Sequence, residues 1–224
     1  AQPEKLYPVA EKKEIPLQNF VEQCLADVTA PGIYLLASQG GFIALPDEHL
    51  TGEFGKTAYG YYLREQRLIS QEGMEEQLAG YITVALGSCV GNFSNFPEGV
   101  AVLRDPEVAV DINLDRVTVV LDYRLRIADT TIERFTKEIM LPLGALHAAA
   151  LNNVEQLIAD DGWMDLTALA ESSYPVAVIP YNDDTLLYTV RADDLIFLFA
   201  AKIAVNADPV LFLEDVYSLK ENER

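Results

Sequence analysis

Residues 108–127, VAVDINLDRVTVVLDYRLRI, decide the fold class of this chain. Up to Leu114, apolar residues alternate with small or polar ones, a period of two that is typical of a half-buried β-strand. The dipeptide at 115–116 predicts a turn, and a second strand-rich run covers 117–127. A further strand is predicted near 132–141. Three successive antiparallel strands joined by short turns would form a meander.

Helical spacing replaces this pattern on both sides of the meander. Apolar residues recur three and four positions apart from Pro16, after a predicted N-cap at Ser70, and from Leu143 to Ile158. We expect Pro31-Gly32 to break or kink the first of these helices, because proline removes a backbone donor and clashes with the preceding turn. A short strand is predicted after it, at 42–45.

The last third of the chain returns to strands. Strands are predicted there at 176–179, 186–190 and 196–200, with a polar turn at 182–184 and a short helix at 165–170 before them, and one more strand is predicted earlier in the chain, at 59–62. Strands and helices do not alternate regularly, which argues against a doubly wound parallel sheet. The sequence therefore predicts an α+β fold in which antiparallel β-sheet packs with amphipathic helices.

The domain organisation follows from composition along the chain. Residues 1–15 are rich in proline and charge and predict an extended leader or stalk. We expect one α+β domain at 16–203, with a candidate sub-boundary near 95–100, and a tail or a linker to a further domain at 204–224. Because the chain opens at Ala1 without a methionine, its natural start is expected elsewhere, with a signal peptide, a membrane anchor or a cloning boundary before Ala1.

Charge excludes some partners. The 224 residues hold 35 Asp or Glu against 16 Lys or Arg, a formal net charge of −19. Such a chain repels phosphate backbones and anionic headgroups over about a Debye length, so we expect no nucleic-acid partner. No stretch approaches the ~20 apolar residues of a membrane span. Contact with a membrane is therefore expected only through an N-terminal anchor outside this sequence.

The two cysteines, Cys24 and Cys89, each fall on the apolar stripe of a predicted helix. Two interpretations follow from the residues alone. The cysteines are either small buried hydrophobic residues in a reducing cell, or they form a disulfide between the two helices in an oxidising compartment.

The segments around both cysteines resemble a known family. They are FVEQCL at 20–25, GIYLL at 32–36, QGGFI at 39–43, MEEQL at 74–78 and CVGNF at 89–93. These segments are similar to an uncharacterised archaeal family of single-pass membrane-anchored proteins, which carry an N-terminal membrane helix and an exported domain. The resemblance implies a cell-surface location and a disulfide between Cys24 and Cys89, and it implies no activity. The chain departs from the family pattern at Pro31 and in lacking the membrane helix.

We therefore expect an extracellular or cell-surface structural or adhesive module. It would act through protein partners or self-assembly, for example in a filament or an envelope layer, and would need no cofactor. The alternative is an exported hydrolase that acts on glycans or peptides through carboxylates. With 35 acidic residues, some pair at a workable separation exists on any fold, so the sequence does not single one out.

No catalytic or metal-binding set stands out in the sequence. Residues 111–115 have the opening spacing of a calcium loop, but Arg116 occupies the position at which that loop needs glycine, so we predict a hairpin turn. His147 lies at the edge of an apolar stripe and is predicted to be structural. His49 lies in a loop with no nucleophile nearby in the sequence.

Two other features are candidate contact sites. Asn92 opens the tripeptide Asn-Phe-Ser, an acceptor for N-glycosylation if the domain is exported. The tyrosines at 59, 61 and 62 would form a stacking surface for sugars or a partner in one interpretation. In the other interpretation, which we favour, these tyrosines are ordinary residues of a strand.

Overall fold

The computed structural model describes residues 16–52, 55–162, 169 and 172–203. Its helices are α1 (Pro16–Ser38), α2 (Gln71–Val90) and α3 (Leu143–Ala159). Its strands are β1 (His49–Gly52), β2 (Gly55–Tyr62), β3 (Glu65–Gln66), β4 (Val100–Val102), β5 (Glu107–Ile112), β6 (Val117–Ile127), β7 (Thr130–Ile139), β8 (Val176–Asn182), β9 (Thr185–Ala192) and β10 (Leu195–Lys202). The predicted leader, the predicted helix at 165–170 apart from residue 169, and the predicted tail lie outside the described residues.

The described strands form two sheets, and the α+β class is confirmed. In the first sheet the order is β1-β2-β10-β9-β8, with β3 beside β2. In the second, β6 pairs with β7 along one edge and with β5 and β4 along the other. Sequence reasoning expected antiparallel pairing, yet β10 runs parallel to β2. The chain between these two strands is long enough for the crossover that parallel pairing needs.

Helix ends follow the local signals in the sequence. The Ser70 hydroxyl accepts a hydrogen bond from the Gly73 amide (3.1 Å), which confirms the predicted N-cap of α2. After α3, the Gly162 amide donates to the Leu157 carbonyl oxygen (2.7 Å), with Gly162 at φ 88°. Glycine adopts this left-handed conformation without the penalty that a Cβ brings.

Helix α1 continues through Pro31, so of the break or kink expected there the break does not occur. Proline in a helix interior costs ~3 kcal/mol. Ile33 and Leu36, which follow it, are both 0% exposed, and full burial of such a side chain contributes ~1.5–3 kcal/mol. Packing of the last turns of α1 therefore outweighs the cost of the proline.

The strand expected at 42–45 is also absent from this described segment. The amides of Ile43 and Ala44 instead donate to Oε1 of Gln77, at 2.7 and 2.8 Å. Gln77 lies on α2, 34 residues beyond Ile43. The Gln77 side chain thus accepts the backbone hydrogen bonds that a neighbouring strand would otherwise accept.

The core lies where α1 meets both sheets. Helix α1 contacts α2, β7 of the second sheet and β10 of the first, and α3 packs on β9 and β10. One cluster of buried side chains includes residues on both sides of 95–100, among them Leu25, Phe93 and Leu121. On the opposite face of the first sheet, Leu50 of β1 packs on a smaller cluster that includes Leu198.

Gly32 permits the close approach of α1 and α2. A Cβ added there would lie 2.8 Å from Leu78 Cδ1 and 2.8 Å from the Tyr81 ring. These separations are well inside van der Waals contact, and Leu78 is fully buried. A larger residue at position 32 would force the Leu78 or Tyr81 side chain to move, so glycine lets the two helices pack at this distance without that shift.

We predict that Gly32→Ala lowers the free energy of unfolding by ~1–3 kcal/mol relative to the matched variant Gly80→Ala, because the new methyl overpacks the helix contact. Gly80 is also inside a helix, and a Cβ there meets nothing within 4 Å. The gain in helix propensity is shared and cancels in the comparison. Urea unfolding with the disulfide intact measures the free energy of unfolding of both variants. Equal values for Gly32→Ala and Gly80→Ala would contradict the prediction.

Candidate functional site

A disulfide joins the two helices at one end of their contact. Cys24 of α1 and Cys89 of α2 are bonded, with Cα atoms 5.7 Å apart and a sequence separation of 65. Of the two interpretations open from the residues, the structure has the bonded one. The pairing implied by the family resemblance is thus confirmed.

Aromatic side chains surround this end of the helix pair. Phe20 of α1 lies edge-on to Phe93 and Phe96, with ring centroids 6.4 and 5.3 Å apart. Phe93 also contacts Tyr123 of β6, at 6.0 Å. Aromatic pairs at these separations stabilise beyond their buried area. The disulfide end is thereby attached to the second sheet as well as to both helices.

Asn92 lies at the surface directly beside this aromatic cluster. Helix α2 ends at Gly91 in the left-handed conformation, and Asn92 follows with φ 55° and ψ 25°. Asn92 and Ser94 are exposed, whereas Phe93 between them is 4% exposed. The glycosylation tripeptide thus presents its acceptor side chain to solvent and inserts its middle residue into the core.

The exposed side of α2 that leads to Asn92 carries no charge. No Asp, Glu, Lys or Arg occurs in 77–97. We call the exposed residues of α2 and its C-cap within this run the neutral face; they are Gly80, Val84, Gly87, Ser88 and Gly91. Val84 is 78% exposed. Sequence reasoning missed this surface, although the charge-free run could have signalled it.

The two histidines are held by backbone carbonyls. His147 is buried, its Nε2 donates to the Ile69 carbonyl oxygen (2.8 Å), and its ring lies edge-on to Phe197. Burial lowers the pKa of His147. His49 donates from Nδ1 to the Pro46 carbonyl oxygen, also at 2.8 Å. His147 joins α3 to the segment before α2, which is the structural role expected of it.

The calcium-like spacing at 111–115 belongs to a hairpin turn, as predicted. The Asn113 side-chain amide donates to Asp111 Oδ2 (2.6 Å), and Arg116 forms an ion pair with Asp115 (2.9 Å). These protein donors therefore engage Asp111 Oδ2 and the Asp115 carboxylate, which are two of the groups that a calcium loop would turn towards its cation. Across the part of the chain that the structure describes, no group of three His, Cys, Asp or Glu could hold a metal ion.

Among the acidic side chains that the structure describes, three have shifted pKa values, and all three shifts are downward. Hydrogen bonds from Arg116, Arg134 and Thr185 lower the pKa values of Asp115, Asp122 and Asp184 respectively. The general acid of a glycoside hydrolase needs a raised pKa. These three carboxylates are shifted in the opposite direction.

The tyrosine run is mostly covered by its own neighbours. Tyr61 is buried, and Tyr59 lies edge-on to Tyr62 with ring centroids 5.1 Å apart. The Arg67 guanidinium lies 4.5 Å from the centre of the Tyr62 ring. A ring face occupied by arginine cannot stack on a sugar unless that arginine moves away.

Comparison of the chain with protein-family models, with curated proteins and with solved structures gave no match. Within the described residues, no helix has the length and apolar character that crossing a membrane requires. The geometry of the disulfide end and of the neutral face therefore carries the functional argument.

We predict that buried His147 makes the protein less stable below about pH 6.5. Because its pKa is lowered on folding, the unfolded chain, with a pKa near 6.5, binds the proton more readily. Stability is then complete above that pH and falls on acidification by up to ~1.4 kcal/mol per pH unit. His147→Gln keeps a donor but does not titrate.

Urea unfolding between pH 7.5 and 5.5 tests this expectation, because the stability difference between His147→Gln and the wild type should shift in favour of the variant on acidification. His49→Gln is the control for losing a histidine outside the core. Parallel pH profiles for the wild type and His147→Gln would contradict the prediction.

Proposed function

We propose that this chain is the exported domain of a cell-surface structural or adhesive protein, one that acts through protein partners or copies of itself. The disulfide between Cys24 and Cys89 carries the proposal. Disulfides form and persist in oxidising compartments and are rare where glutathione keeps thiols reduced. A bridge that ties two core helices together is compatible with an extracellular location.

The charge of the chain supports the same proposal. A net charge of −19 keeps exported copies apart in solution, so any assembly must use specific contacts. The proposed kinship with the archaeal anchored family would add a membrane helix ahead of the domain. In this proposal, attachment to the membrane depends on that helix and not on the described surface.

A pair of exposed apolar side chains at one end of the second sheet is a candidate protein contact. Leu114 is 68% exposed and Met140 is 64% exposed. Leu114 lies in the turn between β5 and β6, and Met140 follows β7, whose Ile139 pairs with Val117 at the start of β6. Both residues therefore lie at the same end of the sheet. Burying them against a partner would remove apolar surface from water.

Within the described residues, no comparable observation favours the hydrolase alternative. A carboxylate poised as a general acid has a raised pKa, and the shifted carboxylates described above have lowered values. We therefore propose the interaction module alone.

We predict that Cys24 and Cys89, when the cells are lysed directly into denaturant with maleimide, remain unlabelled and both become labelled after reduction, because they are bonded to each other outside the cytoplasm. Protease added to intact cells should degrade the full-length protein, while a cytoplasmic marker protein stays intact. Two free thiols in a protein that is protected from the protease would refute the proposed location.

We also predict that reducing the disulfide lowers the free energy of unfolding by about 4 kcal/mol, the loop-entropy value for a closed loop of this length. Urea unfolding of the oxidised protein against Cys24→Ser/Cys89→Ser measures the loss. Unchanged stability would show that the bridge does not support the helix pair.

Assembly through the end of the second sheet has its own test. Leu114→Ser/Met140→Ser should lower the assembled mass of the full-length protein in sedimentation, because it removes the apolar contact. Ile179→Ser, another exposed apolar position at 40%, is the matched control and should leave that mass unchanged. Equal masses for all three proteins would exclude this contact.

A further inference from the structure

We propose that Asn92 carries an N-linked oligosaccharide and that this glycan lies along the neutral face of α2. The inference rests on the proposed function, because glycosylation of this kind requires export. Three observations support it: the acceptor tripeptide at 92–94, the exposure of Asn92 at the end of α2, and the uncharged surface that leads to it.

The position of Asn92 suits a bulky modification. It follows the left-handed C-cap Gly91, and a Cβ added at Gly91 would meet nothing within 4 Å. Asn92 is itself exposed, with a left-handed backbone. A sugar on its side chain extends into solvent without displacing the aromatic cluster that holds Phe93.

The chemistry needs a donor of one class, an oligosaccharide linked to a lipid phosphate, and a transferase. The Asn92 side-chain nitrogen Nδ2 attacks the anomeric carbon of the first sugar. A C–N bond forms, the bond between that carbon and the phosphate oxygen breaks, and the lipid phosphate leaves. The amide nitrogen loses one proton to a base of the transferase, so no oxidant or reductant is involved.

The burial of Phe93 sets the timing of this step. Phe93 is 4% exposed and contacts Phe20, Phe96 and Tyr123. A transferase that binds the whole tripeptide would have to open this cluster in the folded domain. Transfer therefore precedes the packing of Phe93, during export and before the domain is complete.

The neutral face is matched to a glycan in charge and in shape. Neutral sugars carry hydroxyl groups and no charge, and their C–H surfaces pack on apolar side chains such as Val84, which is 78% exposed. Added Cβ atoms at Gly80 and Gly87 meet nothing within 4 Å, so the surface is low and open. In a chain of net charge −19, a run without charge at 77–97 is the surface that a neutral ligand would cover.

The distance from Asn92 to Val84 is short enough for a glycan to span. Val84 precedes Asn92 by 92 − 84 = 8 residues, which is about 12 Å along a helix axis at 1.5 Å per residue. A glycan of a few sugar units that folds back along α2 reaches this far. The glycan would cover Val84, while the end of the second sheet, with Leu114 and Met140, stays available to protein partners.

Non-reducing peptide mapping of the protein isolated from the cells that produce it tests the modification and the proposed function separately. We expect a Cys24–Cys89 linked peptide and an added glycan mass on Asn92. A linked peptide with unmodified Asn92 would overturn this inference and leave the exported module standing. Free thiols at both cysteines would instead refute the proposed function.

Recombinant chains behind a secretion signal in a glycosylating host test the acceptor residues. Asn92→Gln and Ser94→Ala should each lose the glycan mass. Asn95→Gln is the matched control, since Asn95 is a neighbouring exposed asparagine outside the tripeptide, and it should keep that mass. Loss of the mass in Asn95→Gln, or its retention in Asn92→Gln, would overturn the assignment of Asn92.

Coverage of the neutral face is measured with a lysine placed on it. In Val84→Lys, acylation of the new lysine should be several-fold slower in the glycosylated protein than in the Asn92→Gln background. Exposed Lys56 serves as an internal control and should react equally in both. Equal rates at position 84 would overturn the coverage. The coverage would also be overturned if the glycosylated protein formed a dimer that the Val84→Lys substitution dissociates. A second copy of the chain, and not the glycan, would then cover the neutral face.

Discussion

Burial of α1 on several sides at once is the contact on which the rest of the fold depends. The helix touches α2, the β7 edge of the second sheet and β10 in the middle of the first. Leu17, Val21 and Leu25 in its first half are all 0% exposed, as are Ile33 and Leu36 near its end. At ~1.5–3 kcal/mol for each buried side chain, this packing keeps α1 helical across a proline and leaves its surface a meeting point for both sheets.

Local signals in the sequence were enough for the elements whose stabilising contacts are themselves local. The N-cap at Ser70 and the period-two run at 108–127 led to α2, β5 and β6, because capping and pleating act between neighbours. The failures share a cause. Continuation through Pro31, the lost strand at 42–45 and the parallel pairing of β10 all depend on side chains or strands far away in the chain.

The sequence predicted the disulfide end, Asn92 and the neutral face only in part, for a related reason. The residues alone left the state of Cys24 and Cys89 open, and the resemblance to an archaeal family implied their pairing before the structure showed it. Asn92 could be recognised as an acceptor, but not its place at the end of a helix beside buried Phe93. The neutral face stayed hidden because a net charge of −19 describes the whole chain and not the run at 77–97.

The parallel pairing of β2 with β10 has a consequence for the order of folding. Tyr59 and Tyr61 pair with Ala200 and Ala201, which lie about 140 residues later in the chain. The first sheet therefore cannot be completed until the last described strand has been synthesised. Both cysteines and both partners of the α1–α2 contact lie within the first ninety residues. A chain that emerges from its N-terminus can therefore assemble the helix pair early, with β2 already paired to β1 and β3. The edge of β2 that β10 later covers stays open until then, which makes that edge the part most in need of protection from aggregation before the domain is complete.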